Sequence, residues 1–249
     1  MEKLANQYGI EIRKFGGNGD SQRKETMYEL NRKAARFYLD AFRKTPNPAL
    51  TYMFKRGLDA KTLTQFGIGF ADEKWDSLYN YLIREGADAN MLMEMGLVSQ
   101  SKGKYFDKFR NRVMFPIINT RGKVIGFGGR VLDDSKPKYV NTADTLVYKK
   151  SHEVFAMNYA KNSKEDFLIV AEGYMDVITL HQAGFTNAVA GLGTALTSEQ
   201  AQLLSRYASE ILISYDADEA GQKAAARALT IFKKTNAKIK ILRLSGGKD

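Results

Sequence analysis

Apolar positions follow two rhythms along this chain, and the change of rhythm divides it. From Ser21 to Lys44 they keep the helical period, at Met27, Leu30, Ala34, Phe37, Tyr38 and Ala41. That spacing predicts one long amphipathic helix with Ser21 as N-cap, preceded by a flexible break at Phe15 to Asp20. Pro46 and Pro48 end it and open a second helix, Ala49 to Arg56, which Gly57 closes. Shorter helical patterns follow at Ala60–Gln65, Asp76–Arg84 and Ala89–Met95. Beyond Gly96 the pattern turns to strands, Arg112–Asn119 and Lys123–Leu132, joined by the turn signal Asn119 to Gly122. Lys138–Val140 reads as a short further strand. Polar and basic residues 141–151 then lead through Val154–Met157 to a linker helix, Asn158–Ser163.

From residue 166 the alternation is regular. Apolar runs at Phe167–Ala171, Ala188–Ala190, Ile211–Ser214 and Lys238–Leu242 are separated by helical patterns at Tyr174–Ala183, Ser198–Tyr207 and Glu219–Lys234. Strands alternating with helices predict a parallel sheet with right-handed crossovers.

Composition narrows the class. No apolar run approaches the roughly 20 residues that cross a bilayer, and no signal-peptide pattern opens the chain. There is no cysteine, hence no disulfide framework and no thiolate zinc site. Of the two histidines, His181 falls on a predicted helix, where ordinary packing or solvation is its expected role. A soluble cytoplasmic protein is expected, with any metal a hard cation on oxygen ligands. The net charge of +10 is uneven: residues 166–249 hold nine Lys/Arg against nine Asp/Glu, and residues 1–165 hold 29 against 19. Lys102 to Lys138 alone carries ten basic and three acidic residues. A solvated basic surface would aid solubility; joined to a neutral half with clustered acids, it points to a polyanion, nucleic acid above all.

The acids stand where strands should stop. Glu172 follows Phe167–Ala171, and Asp216 and Asp218 follow Ile211–Ser214. Ligands bind outside the carboxyl ends of strands in open α/β sheets, and carboxylates gathered there repel one another without a cation. Residues at i and i+2 of extended chain share a face, so Asp216 and Asp218 can address one ion or an adjacent pair. The competing role is helix capping, for which one acid suffices. For Asp176, one turn into the next helix, the helix role is favoured. Gly191, Gly193 and Thr194 follow the strand Ala188–Ala190 and form a candidate phosphate loop, a weak signal alone and not a Walker A loop. Divalent ions on such carboxylates serve phosphoryl transfer. Glu172 is the candidate to take or relay a proton. Arg130, Lys138 and Lys150 are candidate phosphate or template contacts, with Tyr139 as a stacking face.

Taken together, the Glu-Gly strand end at Glu172, the Gly193-Thr194-Ala195-Leu196 loop and Asp216-x-Asp218 resemble a toprim domain. Asp107 to Pro116, Gly126 to Val131, Pro137 to Asn141, Phe54 to Leu58 and Tyr8 to Ile10 resemble bacterial DNA primases of the DnaG type. The resemblance covers essentially the whole chain. It implies an α+β N-terminal subdomain followed by an α/β toprim domain, a Rossmann-like parallel sheet with flanking helices. The corresponding domains are 1–20, a linker from a missing N-terminal domain; 21–165, a basic mixed subdomain; and 166–249, a toprim domain truncated at its C-terminus. It implies Glu172, Asp216 and Asp218 as catalytic acids and Glu172, Asp216, Asp218 and Asp249 as the metal-binding set, with Asp249 the first acid of a third motif. Arg56, Arg130 and Lys138 match a basic ridge for single-stranded template. Lys150 matches a lysine near the active site and Asn141 a polar residue of that region. The implied activity is primer synthesis, a DNA-directed RNA polymerase reaction using two Mg2+ or Mn2+ ions, with zinc confined to the missing N-terminal domain. The implied partners are single-stranded DNA, ribonucleoside triphosphates, the RNA primer and, through a missing C-terminal domain, the replicative helicase. No membrane is implied, and the fragment is expected to be monomeric. Guanosine alarmones, which carry polyphosphate, are expected to compete for the same site. The rival readings are another toprim enzyme, a nuclease or topoisomerase module, and a non-catalytic single-strand-binding fragment.

Overall fold

The computed structural model describes residues 18–193 and 195–242. Helix α1 runs from Asn18 to Arg43, three residues earlier than its predicted cap at Ser21, so that 18–20 are helical. Residues 1–17, which hold the rest of the predicted linker and break, lie outside the described residues. The buried stripe of α1 is Met27, Leu30, Ala34, Tyr38 and Phe42, spaced three or four apart, with Asn31 buried beside Leu30. Phe37, expected inside, instead stacks on Tyr81 at 5.0 Å, half-buried.

Helices α2 (Pro48–Lys55), α3 (Ala60–Gln65), α4 (Ser77–Arg84) and α5 (Ala89–Glu94) follow the predicted order. Asn47 caps α2, accepting from the N–H groups of Ala49 and Leu50, which satisfies donors that the helix cannot. Between α3 and α4 lies strand β1 (Gly69–Ala71), and after α5 comes the hairpin β2 (Val98–Ser101) and β3 (Lys104–Asp107). The sequence reading placed no strand at either position. Strands β4 (Arg112–Ile118), β5 (Val124–Val131) and β6 (Tyr139–Asn141) match the predicted strands and complete an antiparallel sheet of order β1-β4-β5-β6.

A short helix α6 (Met157–Ala160) leads to β7 (Phe167–Ala171), α7 (Tyr174–Gln182), β8 (Ala188–Ala190), α8 (Ser198–Leu204), β9 (Glu210–Ser214), α9 (Glu219–Phe232) and β10 (Lys238–Ile241). The strands form a parallel sheet of order β10-β9-β7-β8. Alternation along β7 splits its side chains between two cores. Leu168 and Val170 pack with Ala201, Leu204, Ala225 and Phe232 of α8 and α9. Ile169 and Ala171 pack with Val177 and Ile178 of α7 and also with Met53, Phe66, Val113 and Phe115 of the N-terminal half. The two halves therefore share one continuous core, which fixes the basic half against one face of the parallel sheet.

Candidate active site

Register sets three loops in a row at the carboxyl edge of the parallel sheet. Ala171 of β7 lies level with Ser214 of β9 on one side and with Ala190 of β8 on the other. Glu172, Tyr215–Asp216 and Gly191 thus emerge side by side. The chain passes from β7 out to β8 and then returns across β7 to β9. Connections leave β7 and β9 in opposite directions, which opens the crevice where such sheets bind ligands. Glu172 and Asp216 stand on its two sides.

Glu172 is exposed, and its Oε2 accepts the backbone N–H of Asp216 at 3.3 Å. Its charge and burial together push the Tyr215 phenol up to about 12, burial being the larger cause. Asp218 is the N-cap of α9, with Oδ1 accepting from Gly221 N–H at 2.7 Å. Of the Asp216/Asp218 pair, capping of α9 falls to Asp218. Asp176 takes the helix role, its Oδ2 accepting from Gly173 N–H at 2.9 Å. Sequence reasoning missed Gly221: a Cβ there would overlap the Asp216 carbonyl oxygen, so only glycine lets α9 start beneath the acid loop. A glycine in the first turn of a helix, a poor helix former, was the available signal.

The donors at this edge suit a hard divalent cation in type. Glu172, Asp216 and Asp218 carry exposed carboxylate oxygens, the donor type such a cation takes. Among the described residues no lysine or arginine forms a salt bridge with Glu172 or Asp218. No three acid or imidazole groups among the described residues are gathered tightly enough to enclose an ion. Asp249 lies outside the described residues. Of the packing and solvation open to His181, the structure shows packing. The side chain is buried against Phe66 and Tyr159, its Nε2 lies 2.9 Å from the Ala188 carbonyl, and burial lowers its pKa.

The basic residues form a strip that reaches this edge. Arg130 on β5 pairs in register with Tyr139 on β6. Its guanidinium lies 4.4 Å from the centre of the Tyr52 ring and 5.8 Å from that of Tyr139. Arg56 follows Tyr52 by one helical turn, exposed at the C-cap of α2. Lys138 is exposed beside Tyr139, whose ring is 6.1 Å from that of Tyr174, the first residue of α7. Sequence reasoning also missed Arg112, buried beneath the strip. It donates to the carbonyls of Gly129, Pro137 and Lys138 at 3.2–3.3 Å, holding the Lys138 backbone, and burial pulls its pKa down. Nothing in the sequence distinguishes it from Arg110.

Asn141 joins the halves: its Nδ2 donates to Leu192 O, and its Oδ1 accepts from Tyr174 Oη, each at 2.8 Å. Gly191 is half-buried beside Glu172's strand, and Gly193 has φ of +73° with its face against Asn141 Nδ2. Thr194 lies outside the described residues. Lys150 is half-buried, its N–H donating to Asp144 Oδ1 at 3.0 Å.

Residues 37–161 match the family described as DNA primase catalytic core, N-terminal domain, and residues 169–249 match a Toprim-like family. A DNA primase of Clostridium acetobutylicum is 46% identical over 234 residues, covering 92% of this chain and 39% of the relative. A DNA primase of Deinococcus radiodurans is 42% identical over 255 residues, covering 100% and 43% respectively. This chain spans about two fifths of the length of those curated relatives. Among solved structures, a DnaG primase catalytic domain bound to single-stranded DNA superposes with a TM-score of 0.83 at 36% identity, over 92% of this chain and 74% of that one. The Escherichia coli primase catalytic core gives 0.82 at 37% identity, over 90% and 74%.

Proposed function

The chain belongs to the DnaG-type bacterial DNA primases, and on that premise we propose that it makes short RNA primers on single-stranded DNA by nucleotidyl transfer. The observation that carries this reading is the pairing of Glu172 with Asp216 at the switch point, at the end of a basic strip built on the same core. Arg56, Arg130 and Lys138 hold the template phosphates, and Tyr139 offers a ring for a base. Lys150 binds the triphosphate of the incoming ribonucleotide, with Gly191 and Gly193 in the loop after β8 as further candidate phosphate contacts. Asp216 and Asp218, with Asp249, are the residues that would hold divalent ions, magnesium or manganese, and Glu172 borders the same site. Such ions supply charge neutralisation for the triphosphate and for the attacking and leaving oxygens. Glu172 keeps Oε1 for the proton of the attacking 3′-hydroxyl while Oε2 stays on the Asp216 N–H. The new bond joins that oxygen to the α-phosphorus, and pyrophosphate leaves. Coupling to the replicative helicase at the cytoplasmic replication fork is proposed for the whole protein.

Incubation with single-stranded DNA, ribonucleoside triphosphates and magnesium or manganese tests the reading. Template-dependent RNA is expected. Metal-dependent nicking of DNA without ribonucleotides would assign a nuclease instead. Salt-sensitive DNA binding with no synthesis would leave a binding module.

A further inference from the structure

The segment that carries Lys150 is fastened to the parallel sheet by a polar clasp centred on Gln200, which is fully buried in the first turn of α8. Gln200 Nε2 donates to Lys150 O at 2.9 Å and to Glu153 O at 2.8 Å. Its Oε1 accepts from Thr197 N–H at 3.1 Å, and Thr197 Oγ1 donates to Ser151 O at 2.6 Å. Phe155, a little further along, exchanges backbone hydrogen bonds with Ala190 on the outer side of β8, at 2.9 and 3.3 Å. The Lys150 backbone is thus held at its N–H by Asp144 and at its carbonyl by Gln200.

A buried amide is costly unless its hydrogen bonds are made, and what it adds over an apolar side chain of similar size is direction. Here the direction is specific. The clasp sets the Lys150 segment against the loop that follows β8, the strand beside the one ending in Glu172. Neither Gln200 nor Thr197 has a role in the reaction as described above.

We infer that Gln200, supported by Thr197, is a positioning residue for the proposed reaction: it fixes the backbone of Lys150 so that the ammonium group meets the ribonucleotide triphosphate. This rests on the reading of Lys150 as a nucleotide contact, and the test separates the two. Binding of fluorescently labelled GTP in magnesium chloride is measured for wild type, Lys150→Ala, Gln200→Leu and the double variant, after circular dichroism and thermal melts show each to be folded. Each single variant is expected to bind about tenfold more weakly, and the double variant no more weakly than Lys150→Ala, since residues acting through one contact are not additive. Wild-type binding by folded Gln200→Leu overturns the inference, as does a double variant that shows both losses in full. Wild-type binding by Lys150→Ala removes the reading of Lys150 and the inference with it. Should Gln200→Leu not fold, Gln200→Glu replaces it in the cycle with the same expectations, because it keeps the acceptor for Thr197 N–H and removes both donations.

Discussion

Glu172 Oε2 accepts the backbone N–H of Asp216 across 3.3 Å, tying two neighbouring strand ends together at the point where the sheet reverses its connections. Glu172→Gln keeps an oxygen for that bond but cannot take a proton. Stability should stay within about 0.5 kcal/mol of wild type. Incorporation of labelled ribonucleotide should fall by about 10²–10⁴-fold. Wild-type incorporation would remove Glu172 from the chemistry.

Arg130 lies over Tyr52 at 4.4 Å and near Tyr139 at 5.8 Å, a planar cation held between aromatic faces. Arg130→Ala should weaken single-stranded DNA binding and reduce the slope of log affinity against log salt by about 0.7. Arg130→Lys should retain the slope while losing affinity, because the ammonium carries the charge without the planar stacking. Fluorescence anisotropy across a salt series reads both.

The pH dependence of stability has opposing parts. Burial pushes Asp107 up to about 6, even though its oxygens accept from the N–H groups of Leu78 and Tyr79 at 2.8 and 2.9 Å. Burial likewise pushes Glu153 up to about 6. For both, the folded pKa exceeds the unfolded one, so their contribution is fully present below about pH 4 and is lost as pH rises through about 6. His181 has the reverse sign: burial lowers its pKa, so its contribution is present above about pH 6.5 and lost as pH falls. Asp107→Asn removes one of the first two. Relative to wild type it should gain about 2–3 kcal/mol between pH 4 and pH 7 in urea melts. A constant difference across that range would contradict the assignment.

Gly221 touches the site through backbone alone. An exposed helical glycine replaced by alanine ordinarily stabilises by about 1 kcal/mol, and Gly19, with no atom of the described residues within contact of an added Cβ, should behave so. Gly221→Ala should instead destabilise by about 1–3 kcal/mol and depress ribonucleotide incorporation, because its Cβ would overlap the Asp216 carbonyl. Thermal melts of the two variants side by side give opposite signs if the contact matters.

Periodicity revealed the parts of the fold that are long or buried on both faces. Strands β7 and β8 have the predicted limits, because their apolar runs are continuous and bounded by polar residues. Strand β1 escaped because its three residues, Gly69–Ala71, open on a glycine and form no β-branched apolar run. The β2–β3 hairpin escaped because Val98 and Asp107 are its only buried positions. In the candidate site, the strand-end placement of Glu172, Asp216 and Asp218 could be read because a strand end is a local feature. Arg112 and Gln200 could not, because each acts on backbone carbonyls of residues about 25 and about 50 positions away, contacts that only the tertiary fold creates. Asp218 was legible both as a helix cap, which the structure shows, and as a proposed metal ligand.

One substitution separates the two roles. Asparagine caps helices as well as aspartate, so Asp218→Asn preserves the bond to Gly221 N–H, 2.7 Å in the wild type, while removing the charge. Primer synthesis on single-stranded DNA, measured beside a thermal melt, should be lost in Asp218→Asn at unchanged stability. Wild-type RNA synthesis by Asp218→Asn would contradict the account, leaving Asp218 a helix cap and the strand-end acids without their role in nucleotidyl transfer.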